Sequence, residues 1–489
     1  MTYVIDGLEQ KPRAKPSKTR KATIKTNFYK RKDYLPSTNH IQQTSERGTQ
    51  SMPNSVLVVG GGIAGIQASL DLANRGTQVI LVEKLPSIGG RMAQLDKTFP
   101  TLDCSICILA PKMIECLRHP NIKLLTYSEI KEVKGTERDF TVKILRKPRY
   151  VETEKCTGCG TCMEKCPVKV PNEFDMGLGT RKAVYMPFKQ AVPLVATIDA
   201  ENCLYFTKGV CQVCQKTCPS EAINYLQKPE ETTVNVSAII LATGFDVFNP
   251  SAMSEYGYGR YKNVILSMEF ERLISASGPT GGHLVRPSDG KTPRSVVFVQ
   301  CVGSRSQRGE FPYCSSVCCV YATKESILIK DHVPDTEVYI MYIDMRAVGK
   351  GFQEFVDKAE RQYGVKYIKA HPGGITEDPV TKSLQIYYEE ILTGEMKKLD
   401  ADMVVLCPAL IPKEDNKQIA EALNIDLDEC GFFKSKNSLT APVDTIVPGI
   451  FICGYCQNPK DIPESVAQAS GAAARAAETI ACASKESKA

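Results

Sequence analysis

Apolar residues in this chain gather in short unbroken runs, each closed by glycine or a polar turn, and only rarely alternate with polar ones. Residues 55–59 (Ser-Val-Leu-Val-Val) are the first such run. A short apolar run without a polar face predicts a strand buried on both sides. Gly60, Gly61, Gly62, Ile63, Ala64 and Gly65 follow it. Residues 64–75 then predict a helix, and residues 78–82 a second strand ending at Glu83. This is a βαβ unit. Further strands are predicted over 234–245 (closed by a glycine turn), 294–302, 337–343, 401–407 and 447–453, with a helix over 321–330. The Ala-rich stretch 463–481 consists of good helix formers.

Two segments break the pattern. Residues 1–54 hold 11 Lys/Arg and 4 Asp/Glu, no Cys and little periodicity, which predicts a disordered tail. Met52 is an alternative start just before the first strand. A transit peptide fits less well, because Asp6, Glu9, Asp33 and Glu46 are unusual in one. Residues 151–226 hold eight of the 20 Cys, with Pro and Gly nearby, and read as a small domain inserted into a larger one.

The net charge of +6 belongs to the tail, which alone carries +7. A nucleic-acid partner is therefore not expected for the folded body. No apolar run approaches the roughly 18 residues that span a bilayer, so no direct membrane insertion is expected. Nor is there a signal-peptide core. Without an export signal, the expected location is the cytoplasm. The expected division is a tail at 1–54 and one split domain, begun by the βαβ unit, at 55–150, 231–294 and 401–482. The inserted Cys-rich domain takes 151–230, a second Rossmann-like domain 295–400, and a short tail 483–489.

Gly60-x-Gly62-x-x-Gly65 follows a strand and opens a helix. The first glycine permits the tight turn, the second lets a pyrophosphate approach the backbone, and the third lets helix and strand pack closely. Ile63 and Ala64 begin the helix whose free N–H groups would face the phosphates. Glu83, next to Lys84, ends the second strand about where a carboxylate meets a ribose hydroxyl. Features further on favour FAD over NAD. Gly89, Gly90 and Arg91 follow closely, as in flavoproteins of the class with two dinucleotide-binding domains. Ala242-Thr243-Gly244 resembles a turn of that class. Gly454 and Asp461 precede the Ala-rich helix, whose N-terminus could face the flavin.

Cys156-x2-Cys159-x2-Cys162-x3-Cys166-Pro167 matches the bacterial ferredoxin run, in which the fourth Cys serves the other cluster. Cys203-x7-Cys211-x2-Cys214-x3-Cys218-Pro219 is a second run with a longer first gap. The crossing rule assigns Cys156, Cys159, Cys162 and Cys218 to one [4Fe–4S] cluster. It assigns Cys203, Cys211, Cys214 and Cys166 to the other. Eight Cys could instead hold two zinc ions, which would leave the Cys-Pro ends unexplained. Cys301, Cys314, Cys318 and Cys319 form a third group, open to a further cluster or to ordinary buried thiols. No glycine fingerprint for a pyridine nucleotide stands at Cys301. Cys104 and Cys107 read as ligands, a redox dithiol or a structural pair.

Several segments resemble the A subunit of heterodisulfide reductase: residues 87–100, 103–109, 155–160, 187–193 and 461–469. The resemblance covers roughly 55–482. It implies an α/β, Rossmann-like FAD-binding fold of the thioredoxin-reductase kind carrying an inserted α+β two-[4Fe–4S] ferredoxin domain. It also implies that Cys301, Cys314, Cys318 and Cys319 ligate a third [4Fe–4S] cluster. The implied partners are B- and C-like subunits, ferredoxin, and a hydrogenase, formate dehydrogenase or other electron donor, around a homodimer. Long members carry an N-terminal iron–sulfur domain and a C-terminal ferredoxin domain. The tail here has no Cys and the chain stops after the Ala-rich helix, so a short member is expected. The implied role is electron transfer between flavin and clusters, with electron bifurcation as the family's activity. That role requires no side-chain acid–base pair. A stand-alone NAD(P)H-dependent disulfide reductase is the alternative, and it would need a nicotinamide site and a redox dithiol.

Overall fold

The computed structural model describes residues 54–306 and 311–486, with side chains to residue 481. The expected tail at 1–54, all but Asn54, and with it the alternative start at Met52, lies outside the described residues, and the side chain of Cys482 outside the described side chains. Of the expected tail at 483–489, residues 483–486 instead continue the last helix.

The first apolar run forms strand β1 (Ser55–Val59), every residue of it buried. Helix α1 (Ile63–Asn74) and strand β2 (Gln78–Glu83) complete the expected unit. β1 and β2 sit in a five-stranded parallel sheet ordered Ile450–Ile452, Ala238–Leu241, β1, β2, Ile122–Thr126. Strands from both ends of the chain thus share one sheet, as a flavin domain split along the sequence requires. The Ala-rich segment forms the helix Ile462–Glu486. Ala469, Ala472, Ala473 and Ala476 join Ala64, Ala68 and Leu72 of α1 in one buried cluster. Small side chains let the two helices approach closely.

The insert leaves and returns through one antiparallel sheet. Asp139–Arg146 pairs with both Ser128–Thr136 and Glu230–Val236. A bridge between Val151 and Ile223 closes its neck. Its core is its own: Val151, Ala183, Val184, Ile198, Ile223 and Tyr225, with Cys162, Cys166, Cys203 and Cys214. Adjacent strands as entry and exit let a domain be inserted without disturbing the parallel sheet.

The second Rossmann-like region is a seven-stranded sheet ordered Val264–Leu266, Met403–Pro408, Ser295–Val302, Glu337–Tyr342, Lys366–Glu377, Leu384–Glu390, Glu395–Ala401. Its strands lie beyond the expected limits of 295–400 at both ends. Val264–Leu266 pairs with Met403–Pro408, which pairs with Ser295–Val302. Both extra strands are buried apolar runs that look alike to either sheet, so their partner is a matter of packing. Among the described residues no helix is long and apolar enough to cross a membrane.

Buried charges tie the regions together. Arg272 is 1% exposed. Its Nε donates to Asp175 Oδ1 of the insert (3.0 Å) and its Nη1 to the Gln94 carbonyl (3.0 Å). Lys324 Nζ pairs with Glu271 Oε1, and the Asp96 N–H donates to Glu271 Oε2 (2.9 Å). The loop after Gly89-Gly90 is thus held between insert and second sheet by paired charges, which is how buried ions are tolerated.

Candidate flavin and iron–sulfur sites

The glycine loop divides its labour by space. A Cβ on Gly60 would lie 2.3 Å from the Ala242 carbonyl oxygen, and one on Gly65 1.8 Å from the Gly60 carbonyl oxygen. Both positions are closed by backbone. A Cβ on Gly62 would meet nothing within 4 Å. This is the free cradle that a pyrophosphate approaching the N-terminus of α1 needs. Gly90 closes over it, since a Cβ there would stand 2.9 Å from Gly62 Cα. Glu83 is buried, and its carboxylate accepts from the N–H groups of Gly61 (2.7 Å) and Leu85 (2.7 Å). Burial raises its pKa against those bonds. Each oxygen keeps a lone pair for a ribose hydroxyl.

Ala242, Thr243 and Gly244 follow the strand beside β1. Thr243 Oγ1 donates to Asn416 Oδ1 (3.3 Å), a partner with no sequence signal. A Cβ on Gly454 would stand 2.9 Å from Ala64 Cβ, so that turn also borders the start of α1. Its N–H donates to Gln468 Oε1 (2.8 Å). Other expected residues are already engaged. Lys84 pairs with Asp415 (2.7 Å) on the surface. Arg91 reaches Asp246 (3.2 Å) and Gln94 (3.1 Å). Asp461 caps the last helix, accepting from the Glu464 N–H (2.8 Å). Lys460, which sequence reading missed, donates to the Gly454 carbonyl (3.1 Å), and burial lowers its ammonium to about 8.

In the insert, Cys156, Cys159, Cys162 and Cys218 line one cavity. Burial, followed by the thiols of Cys156, Cys214, Cys218 and Cys159, pushes Cys162 up to about 12. Burial, with Cys203 and Cys166 among its neighbours, raises Cys214. The chain thus brings Cys218 to the first run and Cys166 to the second. Thiols gathered where they resist ionisation are stabilised as ligands only when a cation takes up their charge. Among the described residues no three such donors meet at a point that would hold a single ion.

Tyr225, seven residues past the second run, has no motif to announce it. It stacks on Tyr205 at 4.0 Å and sets its hydroxyl 2.9 Å from Cys214 Sγ. A metal-bound thiolate can only accept, so the hydroxyl would donate. Reduction adds negative charge to a cluster, and a donor to its sulfur favours the reduced form. With a cluster held through Cys214, Tyr225→Phe is expected to lower its potential by about 40 mV, from a bond of about 1 kcal/mol. A redox titration followed by electron paramagnetic resonance checks this, and unchanged iron–sulfur potentials would count against it.

Cys301, Cys314, Cys318 and Cys319 come together where the strand Ser295–Val302 turns toward the helix Cys318–His332. The ladder shifts between Val299 and Val302, and Cys301 takes a left-handed φ of 62°. Such backbone is uncommon outside glycine and clusters at functional sites. Burial pushes Cys319 up to about 11, with Cys301 and Cys314 adding to it. Burial raises Cys301 as well, against the lowering effect of Arg305. Gln300 Nε2 is buried beside this group, and among the described residues it has no hydrogen-bond partner. The inorganic sulfides of a cluster would accept from such a donor. Cys104 and Cys107 form a disulfide at the start of helix α2 (Ser105–Arg118).

Residues 55–101 match the family described as FAD dependent oxidoreductase, and residues 149–172 the 4Fe-4S binding domain. The chain is 55% identical over 419 residues to the iron–sulfur A subunit of the CoB–CoM heterodisulfide reductase of Methanocaldococcus jannaschii, covering 86% of this chain and 63% of that one. Over the shared span, this chain is a homologue of the heterodisulfide reductase A subunits. Identity is 50% over 432 residues to the A subunit of the H2:CoB-CoM heterodisulfide,ferredoxin reductase of Methanothermobacter thermautotrophicus (88% and 65% covered). It is 44% over 466 residues to a protein of Archaeoglobus profundus described as like the heterodisulfide reductase A subunit (87% and 66%). The chain thus spans a little under two thirds of the length of these curated relatives. Lactococcus lactis thioredoxin reductase matches at a TM-score of 0.48 and 15% identity, over 88% of this chain and 99% of that one. The sheet orders themselves establish the Rossmann-like fold.

Proposed function

We propose that this chain is the FAD- and iron–sulfur-containing electron-transfer component of a heterodisulfide-reductase-like complex. The observation that carries the reading is that Cys218 of the second Cys run lines one cavity of the insert together with Cys156, Cys159 and Cys162 of the first. Gly60, Gly62 and Gly65 would cradle the pyrophosphate of FAD, with Glu83 at its ribose. Cys156, Cys159, Cys162 and Cys218 would hold one [4Fe–4S] cluster, and Cys203, Cys211, Cys214 and Cys166 another. Cys301, Cys314, Cys318 and Cys319 would hold a third. Bound there, these groups supply the exchange between two-electron and one-electron transfer.

The protein's part is to place, bury and tune. Arg272 and Glu271 hold the loop 94–96 against the insert and second sheet, which keeps the cofactor sites at a set separation. Burial of Cys162, Cys203, Cys214, Cys301, Cys318 and Cys319 keeps water from the sulfurs. Ferredoxin, B- and C-like subunits and an electron-donating protein are the partners this reading assigns. Relatives named for both a heterodisulfide and ferredoxin support a division of electrons between two acceptors.

Purified without oxygen, the protein is expected to hold about 12 iron and as much acid-labile sulfide per FAD, as three four-iron clusters require. About 8 iron would confine the clusters to the insert. Zinc in place of iron would overturn the reading. NADH and NADPH should leave the flavin absorbance unbleached. Stoichiometric bleaching would favour the stand-alone disulfide reductase instead.

A further inference from the structure

Among the described residues, Cys104 and Cys107 differ from the other cysteines that no cluster claims. Cys116, Cys407, Cys453 and Cys456 are buried, and burial raises the pKa of each. Cys430 is half-buried and is raised too. Cys107, by contrast, is exposed and Cys104 half-buried. Reactive cysteines are those that solvent reaches and that ionise.

The bond between them does little for the fold. Its ends are three residues apart, and closing so short a loop restricts the unfolded chain least. The same turn is already held by the backbone. The Ser105 N–H donates to the Asp96 carbonyl (3.0 Å), and Ser105 Oγ to the Met92 carbonyl (2.7 Å). The Thr98 N–H donates to the Asp103 carbonyl (2.9 Å). A bridge between Lys97 and Cys104 completes the frame. The turn therefore does not depend on the sulfur bond alone. Cys104 is the N-cap of α2, a 14-residue helix, where the helix dipole favours a thiolate.

We propose that Cys104 and Cys107 form a thiol–disulfide exchange site for a low-molecular-weight thiol. A thiolate from solvent attacks the exposed Cys107 sulfur, the Cys104–Cys107 bond breaks, and Cys104 departs as a thiolate at the helix start. A second thiolate attacks the mixed disulfide and leaves with the first as their own disulfide, freeing Cys107. Two thiols lose two electrons, the protein disulfide gains them, and the two protons the thiols gave up pass to Cys104 and Cys107. The reverse sequence reoxidises the pair. The inference stands apart from the proposed electron-transfer role, because neither flavin nor cluster takes part.

The test uses the full chain with its cofactors, equilibrated without oxygen in buffers of varied glutathione to glutathione disulfide ratio. Free thiols are then trapped with N-ethylmaleimide and mapped by peptide mass. The peptide with Cys104 and Cys107 is expected to pass from fully joined to doubly labelled within that range, while Cys116 and Cys407 stay unlabelled. Cys107→Ser should abolish the transition and leave iron and flavin content unchanged. A pair locked in one state at every ratio would overturn the proposal. So would a pair that is labelled only after iron is removed, which would make the two cysteines ligands.

Discussion

Gly62→Ala is expected to purify as a folded protein that has lost most of its flavin. Gly62 is the N-cap of α1 with φ −77° and ψ −177°, extended backbone that alanine adopts freely. Its carbonyl already accepts from the Ile66 N–H (2.9 Å), and an added methyl meets nothing within 4 Å. The expected cost to folding is about 1 kcal/mol or less, the difference between glycine and alanine at an N-cap. The methyl would stand where the pyrophosphate must touch the helix N-terminus. A charge-assisted hydrogen bond lost there is worth about 1.5–3 kcal/mol, or one to two decades in affinity. Gly65→Ala offers the contrast, because its Cβ would collide with the Gly60 carbonyl and disturb the strand–helix turn itself. Flavin absorbance per chain, beside thermal unfolding of each apoprotein, separates the two. A Gly62→Ala protein with a full complement of flavin would show that the pyrophosphate does not cross this cradle.

Cys318→Ser is expected to lower the iron content from about 12 to about 8 per chain while flavin stays constant, the loss of one four-iron cluster. Serine keeps the shape of the side chain at a slightly smaller volume, so the packing at this buried position is little disturbed and the fold should survive. Cys407→Ser is the control. That thiol is fully buried in the strand beside Cys301, and Cys318 is among the neighbours that raise it, yet no ligand role falls to it. If both variants keep their iron, the third group is an ordinary set of core thiols. If both lose it, the loss comes from disturbed packing and says nothing for a ligand. Only loss in Cys318→Ser alone bears out the ligand set.

Much of this site was readable before any coordinates. The glycine fingerprint between strand and helix and the Cys-x2-Cys-x2-Cys-x3-Cys-Pro run are local patterns. Their geometry follows from a few backbone dihedrals, so spacing alone carries meaning. The approach of Cys218 to the first run also follows a rule of sequence, and Cys218 lines one cavity with Cys156, Cys159 and Cys162. Lys84, Arg91 and Asp461 were less legible. Each stands at a position a cofactor could use, but each also finds a partner in Asp415, Asp246 or the Glu464 N–H. Side chains that reach that far choose among neighbours that only folding supplies.

What the sequence determined by itself is therefore what lies within a turn or two of chain: the βαβ unit, the two cysteine runs, the Ala-rich helix. Tertiary structure decided which glycine stands open, since Gly60 and Gly65 are closed by backbone and Gly62 faces free space. It gathered Cys301 with Cys314, Cys318 and Cys319, and set the Tyr225 hydroxyl on Cys214. It drew Val264–Leu266 and Met403–Pro408 into the second sheet rather than the first. The physical reason is one of range. Local dihedrals fix spacing over a few residues, whereas contacts between distant segments form only where burying many apolar groups together outweighs the entropy of ordering the chain between them.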